Sequence, residues 1–363
     1  MSLAPGQTPH LRTEVRGKAG ILTLERPNAL NALSHAMIIT LTDALKRWAA
    51  DPAVAVVIVT GVGDRAFCAG GDIVALYHDS FEGGFGGARM WADEYALNLL
   101  ISRYPKPYVA LMHGLVLGGG IGISAHGSHR IVTDNTRAGM PETGIGFVPD
   151  VGGTYLLARS PGGLGKHLAL TGTHVGPGEA IEAGLADFYV PQDRLHALIR
   201  DLIAGGEPSI IADYQKEPPT SFGLDRDFID RVYTGSQTVE QILTALDLET
   251  SSAAEDAAKR IRRNSPLALK TTLESLRRAT ELKLAEVLTT EYRVSVNFHL
   301  TGQLREGVRA QVIDKDKNPR WWPATLTDVR PELVESYFNP LRYPGIDEPD
   351  FNHRVQTQIQ EMQ

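Results

Sequence analysis

The chain has 363 residues, enough to bury a sizeable core and to form about two structural units at roughly 150 residues per domain. Hydrophobic residues make up 42% and charged residues 22%, proportions that exclude disordered, collagen-like and fibrous proteins. The net charge of -7 and the short Lys/Arg clusters predict no nucleic-acid partner, whereas a local pair of basic residues would suffice for a small anionic ligand.

The cysteine content and the amino terminus predict the cytoplasm. Cys68 is the single cysteine, so no intrachain disulfide can form, which fits a reducing compartment. Residues 1–10 lack the basic and apolar regions of a signal peptide, and no run of about 18 apolar residues occurs. We therefore expect neither secretion nor a membrane partner.

Short β-rich runs alternate with amphipathic helical stretches over the first 200 residues, which predicts an α/β body. Residues 21–24 predict a strand, and Ser34 is placed to cap a helix that runs through Trp48. Residues 54–60 and 108–112 are almost continuously apolar, so we expect two strands that are covered on both faces.

Helical periodicity dominates beyond about residue 204, most clearly over 265–279 and 282–309. Pro218 and Pro219 indicate a boundary loop, and the proline-containing tail beyond Pro319 predicts irregular chain laid over the body. We therefore expect an α/β core at 1–204, which carries the site, and a mainly helical region at 205–363, which packs on it.

A glycine-rich turn follows each of the two apolar strands, at residues 69–72 and at residues 118–122. Glycine permits positive φ and close backbone approach, so both turns can aim N–H groups at one point. Either turn alone is equally consistent with a plain strand-to-helix connection. The pair favours an oxyanion site, because such a site needs two N–H donors from separate segments.

The second turn also matches the dinucleotide-binding pattern G-x-G-x-x-A, and Glu142 lies twenty residues beyond Gly122. That pattern should follow directly on a strand of the opening βαβ unit, whereas residues 113–117 predict an intervening loop. We therefore expect no nucleotide cofactor.

Two carboxylates, Glu142 and Asp150, lie eight residues apart across a turn rich in glycine and proline. Both residues could be plain turn residues, and Asp150 could cap a helix that runs through Leu157. A carboxylate surrounded by Ile145 and Phe147 could instead have a shifted pKa, as catalytic groups often do. The residues alone leave both interpretations open.

Two histidines and the cysteine are weaker candidates. His126 and His129 have no third ligand at a useful spacing, so we predict surface or hydrogen-bonded histidines and no metal site. Cys68 has no histidine near it in the sequence, so we predict a packed small side chain.

Several stretches resemble the enoyl-CoA hydratase/isomerase (crotonase) superfamily, and the likeness covers nearly the whole chain. These stretches are residues 24–33, 66–72, 106–114 and 140–143. Others resemble one branch, the 3-hydroxyisobutyryl-CoA hydrolases, and these are residues 149–153, 306–310 and 314–316. The resemblance implies a crotonase (ClpP-like) fold of repeated ββα units with a helical C-terminal region.

The resemblance also implies roles for individual residues. The amides of Gly71 and Gly119 would form an oxyanion hole, Glu142 would be the catalytic carboxylate, and Asp150 would be its partner near a β-hydroxyl of the substrate. Glu94 would be a further substrate-side group, with an exposed position on a helix as the alternative.

Coenzyme A would bind along the first glycine turn, where the resemblance places Ala69, Gly71 and Asp72 at the adenine. Arg26 would meet a CoA phosphate or remain a solvated charge at a strand end. CoA is part of the substrate, so we expect no separate cofactor. A homo-oligomer is a further expectation, because trimers are common in the superfamily, although the helical carboxy terminus could alter the association.

Position 122 bears on which reaction is expected. Hydratases of the superfamily carry a glutamate two residues after the triple glycine, where this chain has Gly122. Hydration needs one group for the water and another for the α-proton, so the missing carboxylate favours hydrolysis. The favoured substrate is a short β-hydroxyacyl-CoA, foremost 3-hydroxyisobutyryl-CoA of valine catabolism. The alternatives are an enoyl-CoA hydratase/isomerase and a non-catalytic CoA-binding or assembly protein.

Overall fold

A computed structural model describes residues 8–219 and 225–362 of the chain. Nine strands occur in this part, and their bounds are β1 Leu11–Arg16, β2 Ala19–Leu24, β3 Val56–Gly61, β4 Ala66–Cys68, β5 Tyr108–Met112, β6 Leu115–Leu117, β7 His129–Val132, β8 Arg137–Gly139 and β9 Phe188–Tyr189.

The strands form two sheets. The larger has the order β1-β2-β3-β5-β7-β9 and is parallel except for the β1–β2 pair, and the smaller has the parallel order β4-β6-β8. The successive pairs β3/β4, β5/β6 and β7/β8 each contribute one strand to either sheet, and a helix or helical turn follows each pair. This repetition of ββα units confirms the predicted α/β class.

The described part contains seventeen α-helices. Those up to residue 214 are α1 His35–Ala50, α2 Ile73–Asp79, α3 Phe85–Ser102, α4 Gly119–Ser124, α5 Gly153–Leu157, α6 Leu164–Thr171, α7 Pro177–Glu182, α8 Leu195–Gly205 and α9 Ile211–Tyr214. Those after residue 225 are α10 Arg226–Tyr233, α11 Val239–Leu248, α12 Ser252–Arg263, α13 Pro266–Ala279, α14 Leu284–Leu300, α15 Gln303–Val308, α16 Pro331–Ser336 and α17 Phe351–Glu361.

Helix α1 forms where the sequence predicts it. The Ser34 hydroxyl accepts a hydrogen bond from the Met37 amide, and the apolar positions at helical spacing through Trp48 are buried against the core. Strand β3 begins at Val56, two residues later than predicted, and its first four residues are fully covered. The capping and periodicity rules therefore predict the scaffold of the first half well.

Two local predictions are wrong. Residues 113–117 contain strand β6, so α4 follows a strand after a single glycine, although that strand lies in the small sheet and not in an opening βαβ unit. The tail beyond Pro319 also ends in a regular helix, α17, which Asp350 caps and which buries Phe351 and Val355. Both elements are short or polar, so periodicity gives a weak signal there.

The carboxy-terminal helices share one buried apolar cluster with the α/β body. Helix α14 packs along α3, and its Leu288 and Phe298 join the same cluster as Trp91 and Val151. The predicted boundary near residue 204 falls at the end of α8, and the predicted loop at Pro218 and Pro219 borders residues 220–224, which lie outside the described residues. Helices long and apolar enough to span a bilayer do not occur within the described residues.

Candidate active site

Two glycine turns meet where β4 and β6 end. The first leads from Cys68 into α2, and the second, at Gly118 and Gly119, opens α4. Gly118 has φ 48° and ψ −118°, a conformation that strains any residue with a side chain. Glycine at this position therefore lets the chain turn sharply from β6 into the helix.

The amides of Gly71 and Gly119 lie close together. A β-carbon added at Gly119 would stand 3.3 Å from the amide nitrogen of Gly71. Gly119 is the first residue of α4, so its N–H has no acceptor within the helix. Hydrogen bonds within residues 8–219 and 225–362 use neither of these two N–H groups. Two unengaged donors from separate segments thus lie side by side.

Glu142 opens a 3-10 turn, Glu142–Ile145, and its side chain reaches the second glycine turn. A β-carbon at Gly118 would stand 2.7 Å from Glu142 Oε1, so glycine is required for the carboxylate to approach the backbone. The other oxygen, Oε2, is buried and has no hydrogen-bond partner in the described part of the chain. Burial, reinforced by the nearby Asp150 carboxylate, raises the pKa of Glu142 well above its usual value.

Glu94 approaches the same glycine turn from α3. Its side chain is buried, so the alternative of an exposed position on a helix is wrong. Its Oε1 would stand 2.7 Å from a β-carbon at Gly119 and has no hydrogen-bond partner among the described residues. Burial, followed by repulsion from Asp150, raises the pKa of Glu94 well above its usual value. Glu94 and Glu142 therefore border the backbone on which the two donors lie.

The Asp150 side chain is buried and points toward α3. Its Oδ2 accepts a hydrogen bond of 2.7 Å from the Tyr95 hydroxyl. Burial raises the pKa of Asp150 to about 7, and the Tyr95 hydrogen bond limits this increase because it stabilises the charged form. The prediction that Asp150 caps the helix through Leu157 is wrong, since α5 begins at Gly153 and the Asp150 side chain does not contact its amides.

Another carboxylate caps the turn that follows Asp150. Val151 has φ 54°, which is strained for a β-branched residue. Glu291, from α14, accepts hydrogen bonds from the Gly152 amide at 2.6 Å, the Thr154 amide at 3.0 Å and the Thr154 hydroxyl at 2.5 Å. Burial raises the pKa of Glu291 to about 8. The C-terminal region therefore supplies the group that secures this turn.

Hydrogen bonds or burial account for the positions of the two histidines and the cysteine. His126 is partly buried and donates through Nε2 to the Val151 carbonyl at 2.7 Å, and desolvation of its ring lowers its pKa to about 4. His129 is partly exposed and bonds Ser128 through Nδ1. The Cys68 thiol is fully buried, which raises its pKa to about 12 and keeps it unreactive. The predictions of hydrogen-bonded histidines and a packed cysteine are confirmed.

Arg26 lies beside the first glycine turn. Its guanidinium forms an ion pair of 2.7 Å with Asp72, and both side chains are mostly buried. Asp72 also caps α2 by accepting from the Ala75 amide, while the Ala69 amide donates to the Leu30 carbonyl. Arg26 is therefore not a freely solvated charge, and the predicted CoA-binding residues Arg26, Ala69 and Asp72 form one surface with the loop that contains Leu30.

Position 122 has no room for a carboxylate side chain. A β-carbon at Gly122 would stand 2.7 Å from the Val151 β-carbon and 2.9 Å from Asn98 Nδ2. Both distances are shorter than real β-carbon contacts, and Val151 cannot give way without displacing the strained turn after Asp150 to which it belongs. The absence of a glutamate here is thus built into the packing as well as the sequence.

Three contributors to the site were not predicted, namely Tyr95, Glu291 and Ser295. Tyr95 adjoins the predicted Glu94, but its hydroxyl partner lies 55 residues away in the sequence. Glu291 and Ser295 belong to an amphipathic helix in the region that was not expected to carry the site. Their spacing of four residues puts them on one helical face, and the sequence offers no further signal for them.

Comparison with known proteins identifies the family model that the chain matches. The model described as "Enoyl-CoA hydratase/isomerase" matches residues 19–338. Curated relatives named "3-hydroxyisobutyryl-CoA hydrolase, mitochondrial" include the Rattus norvegicus protein, 41% identical over 92% of this chain and 90% of that protein. The Homo sapiens protein of that name is 40% identical over 90% of this chain and 88% of that protein.

Solved structures give the same fold. A carnitinyl-CoA dehydratase from Mycobacterium thermoresistibile has a TM-score of 0.88 and 47% identity, covering 93% of this chain and 100% of that one. An enoyl-CoA hydratase from Rhodobacter sphaeroides 2.4.1 has a TM-score of 0.84 and 42% identity, covering 92% and 98% respectively. These similarities confirm the crotonase fold that the sequence predicted.

Proposed function

Because the chain belongs to the enoyl-CoA hydratase/isomerase family, we propose that it hydrolyses a short β-hydroxyacyl-CoA thioester, foremost 3-hydroxyisobutyryl-CoA, to the free acid and CoA. The observation that carries the proposal is the position of Glu142, whose carboxylate lies against Gly118, next to the unengaged amides of Gly71 and Gly119. Acyl transfer requires this combination of a nucleophile or base beside paired N–H donors.

The reaction begins with the thioester oxygen between the two amides. Negative charge develops on this oxygen as the carbonyl is attacked, and the two N–H groups stabilise it. Glu142 acts in its ionised form, either by attacking the carbonyl carbon to give an anhydride or by activating a water molecule. Both routes add one water overall, break the carbon–sulfur bond and release CoA as the thiol.

Asp150 would select for the hydroxyl group of the acyl chain. Its carboxylate is buried and electrostatically coupled to both Glu94 and Glu142, which is consistent with a position along the same acyl pocket. An acyl group without a hydroxyl would leave this buried carboxylate without a hydrogen-bond donor. A site built to pair with a substrate hydroxyl therefore discriminates strongly against substrates that lack one. Glu94 would line the same acyl pocket.

The CoA moiety would lie along the surface formed by Arg26, Ala69, Gly71 and Asp72. The Arg26–Asp72 ion pair places a cation beside the first glycine turn, where a phosphate could compete for it. The substrate thus brings CoA with it, and the proposal requires no separate cofactor. The cytoplasmic location and the homo-oligomer stay predictions, while the names of the curated relatives include the word mitochondrial.

Hydration is the second candidate, since two of the similar structures carry the names of a hydratase and a dehydratase. Against it stands Gly122, where Val151 and Asn98 fill the space that a second carboxylate would need. Without a carboxylate at position 122, the site lacks the second acid–base group that hydratases of the superfamily carry there, so hydration would compete poorly with hydrolysis.

A panel of acyl-CoAs tests the proposal. The purified protein is assayed for free thiol with 3-hydroxyisobutyryl-CoA, 3-hydroxypropionyl-CoA, isobutyryl-CoA and acetyl-CoA, and for loss of enoyl absorbance with crotonyl-CoA. We expect thiol release to be fastest with the two hydroxylated substrates. Faster hydration of crotonyl-CoA than any thiol release would support the second candidate, and inactivity with every substrate at measurable CoA binding would favour a non-catalytic protein.

A further inference from the structure

The Asp150 carboxylate is fixed from outside its own loop. Tyr95, fully buried on α3, donates its hydroxyl hydrogen to Asp150 Oδ2. The same hydroxyl oxygen lies 2.7 Å from Ser295 Oγ on α14, and since the Tyr95 hydrogen is already committed, Ser295 must be the donor there. A chain of two hydrogen bonds thus runs from α14 through Tyr95 to the carboxylate.

The backbone behind Asp150 is fixed from the same helix. Glu291 lies one helical turn before Ser295 and accepts the three hydrogen bonds from Gly152 and Thr154. These bonds secure a turn with positive φ at both Val151 and Gly152. Such strained turns persist only when the surrounding structure holds them, and strained backbone is concentrated at functional sites.

Holding the turn with Glu291 is energetically expensive. The carboxylate is fully buried, and like charge on Asp150 adds to the desolvation that raises its pKa. The Gly152 and Thr154 donors require an acceptor at this position, and here it is a carboxylate close to Asp150. Glu291 therefore holds the backbone that carries Asp150 at the cost of burying a second carboxyl group beside it.

On the basis of the proposed function, we propose that Tyr95, Ser295 and Glu291 form a positioning frame that aims Asp150 at the substrate hydroxyl and so sets the preference for hydroxylated acyl groups. We call these three residues the Asp150 frame. None of them acts on the thioester itself, because that chemistry belongs to Glu142 and the two amides. Through Glu291 and Ser295, the frame gives α14 a role at a site that is otherwise built on the α/β body.

The test compares two substrates in the variants Tyr95→Phe and Ser295→Ala, with Tyr337→Phe as the matched control. Tyr337 is also buried, and its hydroxyl bonds Thr301 away from the site. We expect Tyr95→Phe to lower kcat/KM for 3-hydroxyisobutyryl-CoA by about tenfold to a hundredfold, the effect of one hydrogen bond to a charged group. For isobutyryl-CoA, which has no hydroxyl group, the change should stay within about threefold.

The pH profile provides a second readout. Loss of the Tyr95 hydrogen bond raises the pKa of Asp150 further, so the limb of the kcat/KM profile that reports this group should move to higher pH in Tyr95→Phe. Ser295→Ala should give a smaller effect in the same direction, and Tyr337→Phe should give none.

Equal losses with both substrates and an unshifted profile would overturn the frame, as they would indicate a merely structural role. Glu291→Gln removes one acceptor and should show the same selective loss. If that variant fails to fold, Tyr95→Phe and Ser295→Ala still test the proposal. Failure of the wild-type protein to release CoA from 3-hydroxyisobutyryl-CoA would instead contradict the proposed function, and the frame with it.

Discussion

At the scale of single residues, the site depends on two glycines whose missing side chains leave room for carboxylates. Gly118 admits Glu142 and Gly119 admits Glu94, each with a carboxylate oxygen 2.7 Å from the position of an absent β-carbon. The backbone amides and the acid groups can therefore share one small volume. A side chain at either position would separate them.

Gly119→Ala should abolish most of the activity. The new methyl group would stand 2.7 Å from Glu94 Oε1 and 3.3 Å from the Gly71 amide, so it displaces both and blocks one donor. Loss of one oxyanion donor costs about 100-fold to 1,000-fold in kcat. Steady-state thiol release measures the effect. Gly205→Ala is the control, because a β-carbon there meets nothing within 4 Å, and equal activity of the two variants would contradict this reading.

The rate should rise with pH over a range in which an ordinary glutamate is already ionised. Glu142 must be ionised to attack or to activate water, and burial together with Asp150 raises its pKa well above the usual value. We therefore expect kcat/KM to keep increasing with pH above the range in which an ordinary glutamate becomes fully ionised, after subtraction of spontaneous thioester hydrolysis. A profile that is flat from pH 5 upward would show that Glu142 is ionised throughout and that its environment does not hold the proton.

At the scale of elements, α4 packs closely against the turn after Asp150 and leaves no room for a carboxylate side chain at position 122. Gly122→Glu should not create a hydratase, because the side chain would start 2.7 Å from the Val151 β-carbon and displace the turn. Overpacking of this kind costs about 1–3 kcal/mol of unfolding free energy. Urea unfolding and crotonyl-CoA hydration are the measurements. A stable variant that hydrates crotonyl-CoA would refute the packing argument.

The elements that the sequence predicts are those with local signals. Ser34 caps α1 and Ser265 caps α13 because each hydroxyl precedes an apolar run of helical period. The meeting of Gly71 with Gly119 could be expected from the two glycine turns, although the functional roles rest on the resemblance. Glu291 could not be found, since its capped turn is 137 residues away in the sequence and non-local contacts leave no periodic trace.

At the scale of the whole molecule, four carboxyl groups share one interior region, contributed by α3, two turns and α14. Glu94, Glu142, Asp150 and Glu291 are all buried, and burial raises the pKa of each. The division at residue 204 stays a prediction, but the second part supplies Glu291 and thereby contributes to the site. These groups lower the stability of the folded protein when they are ionised, because each carboxylate is poorly solvated in the interior.

Asp150→Asn should stabilise the protein at high pH. The folded-state pKa of Asp150 is raised to about 7, against about 3.9 in the unfolded chain, so the folded state binds the proton more tightly. The free energy of unfolding therefore falls as pH rises from about 4 to about 7. The variant escapes this loss, and its gain over the wild type should be about 2–4 kcal/mol larger at pH 8 than at pH 5. Urea unfolding at both pH values measures it, and an equal gain at both would contradict the raised pKa.

The most direct test of the account is thiol release from 3-hydroxyisobutyryl-CoA by the wild-type protein and by Glu142→Gln, with CoA-ester binding measured for both. Glutamine keeps the volume of the side chain beside Gly118 but cannot act as nucleophile or base at pH 7. We predict that turnover falls by at least about a thousandfold while the dissociation constant changes by less than about fivefold. Turnover by Glu142→Gln at a rate near that of the wild type would contradict the assignment of the chemistry to this carboxylate.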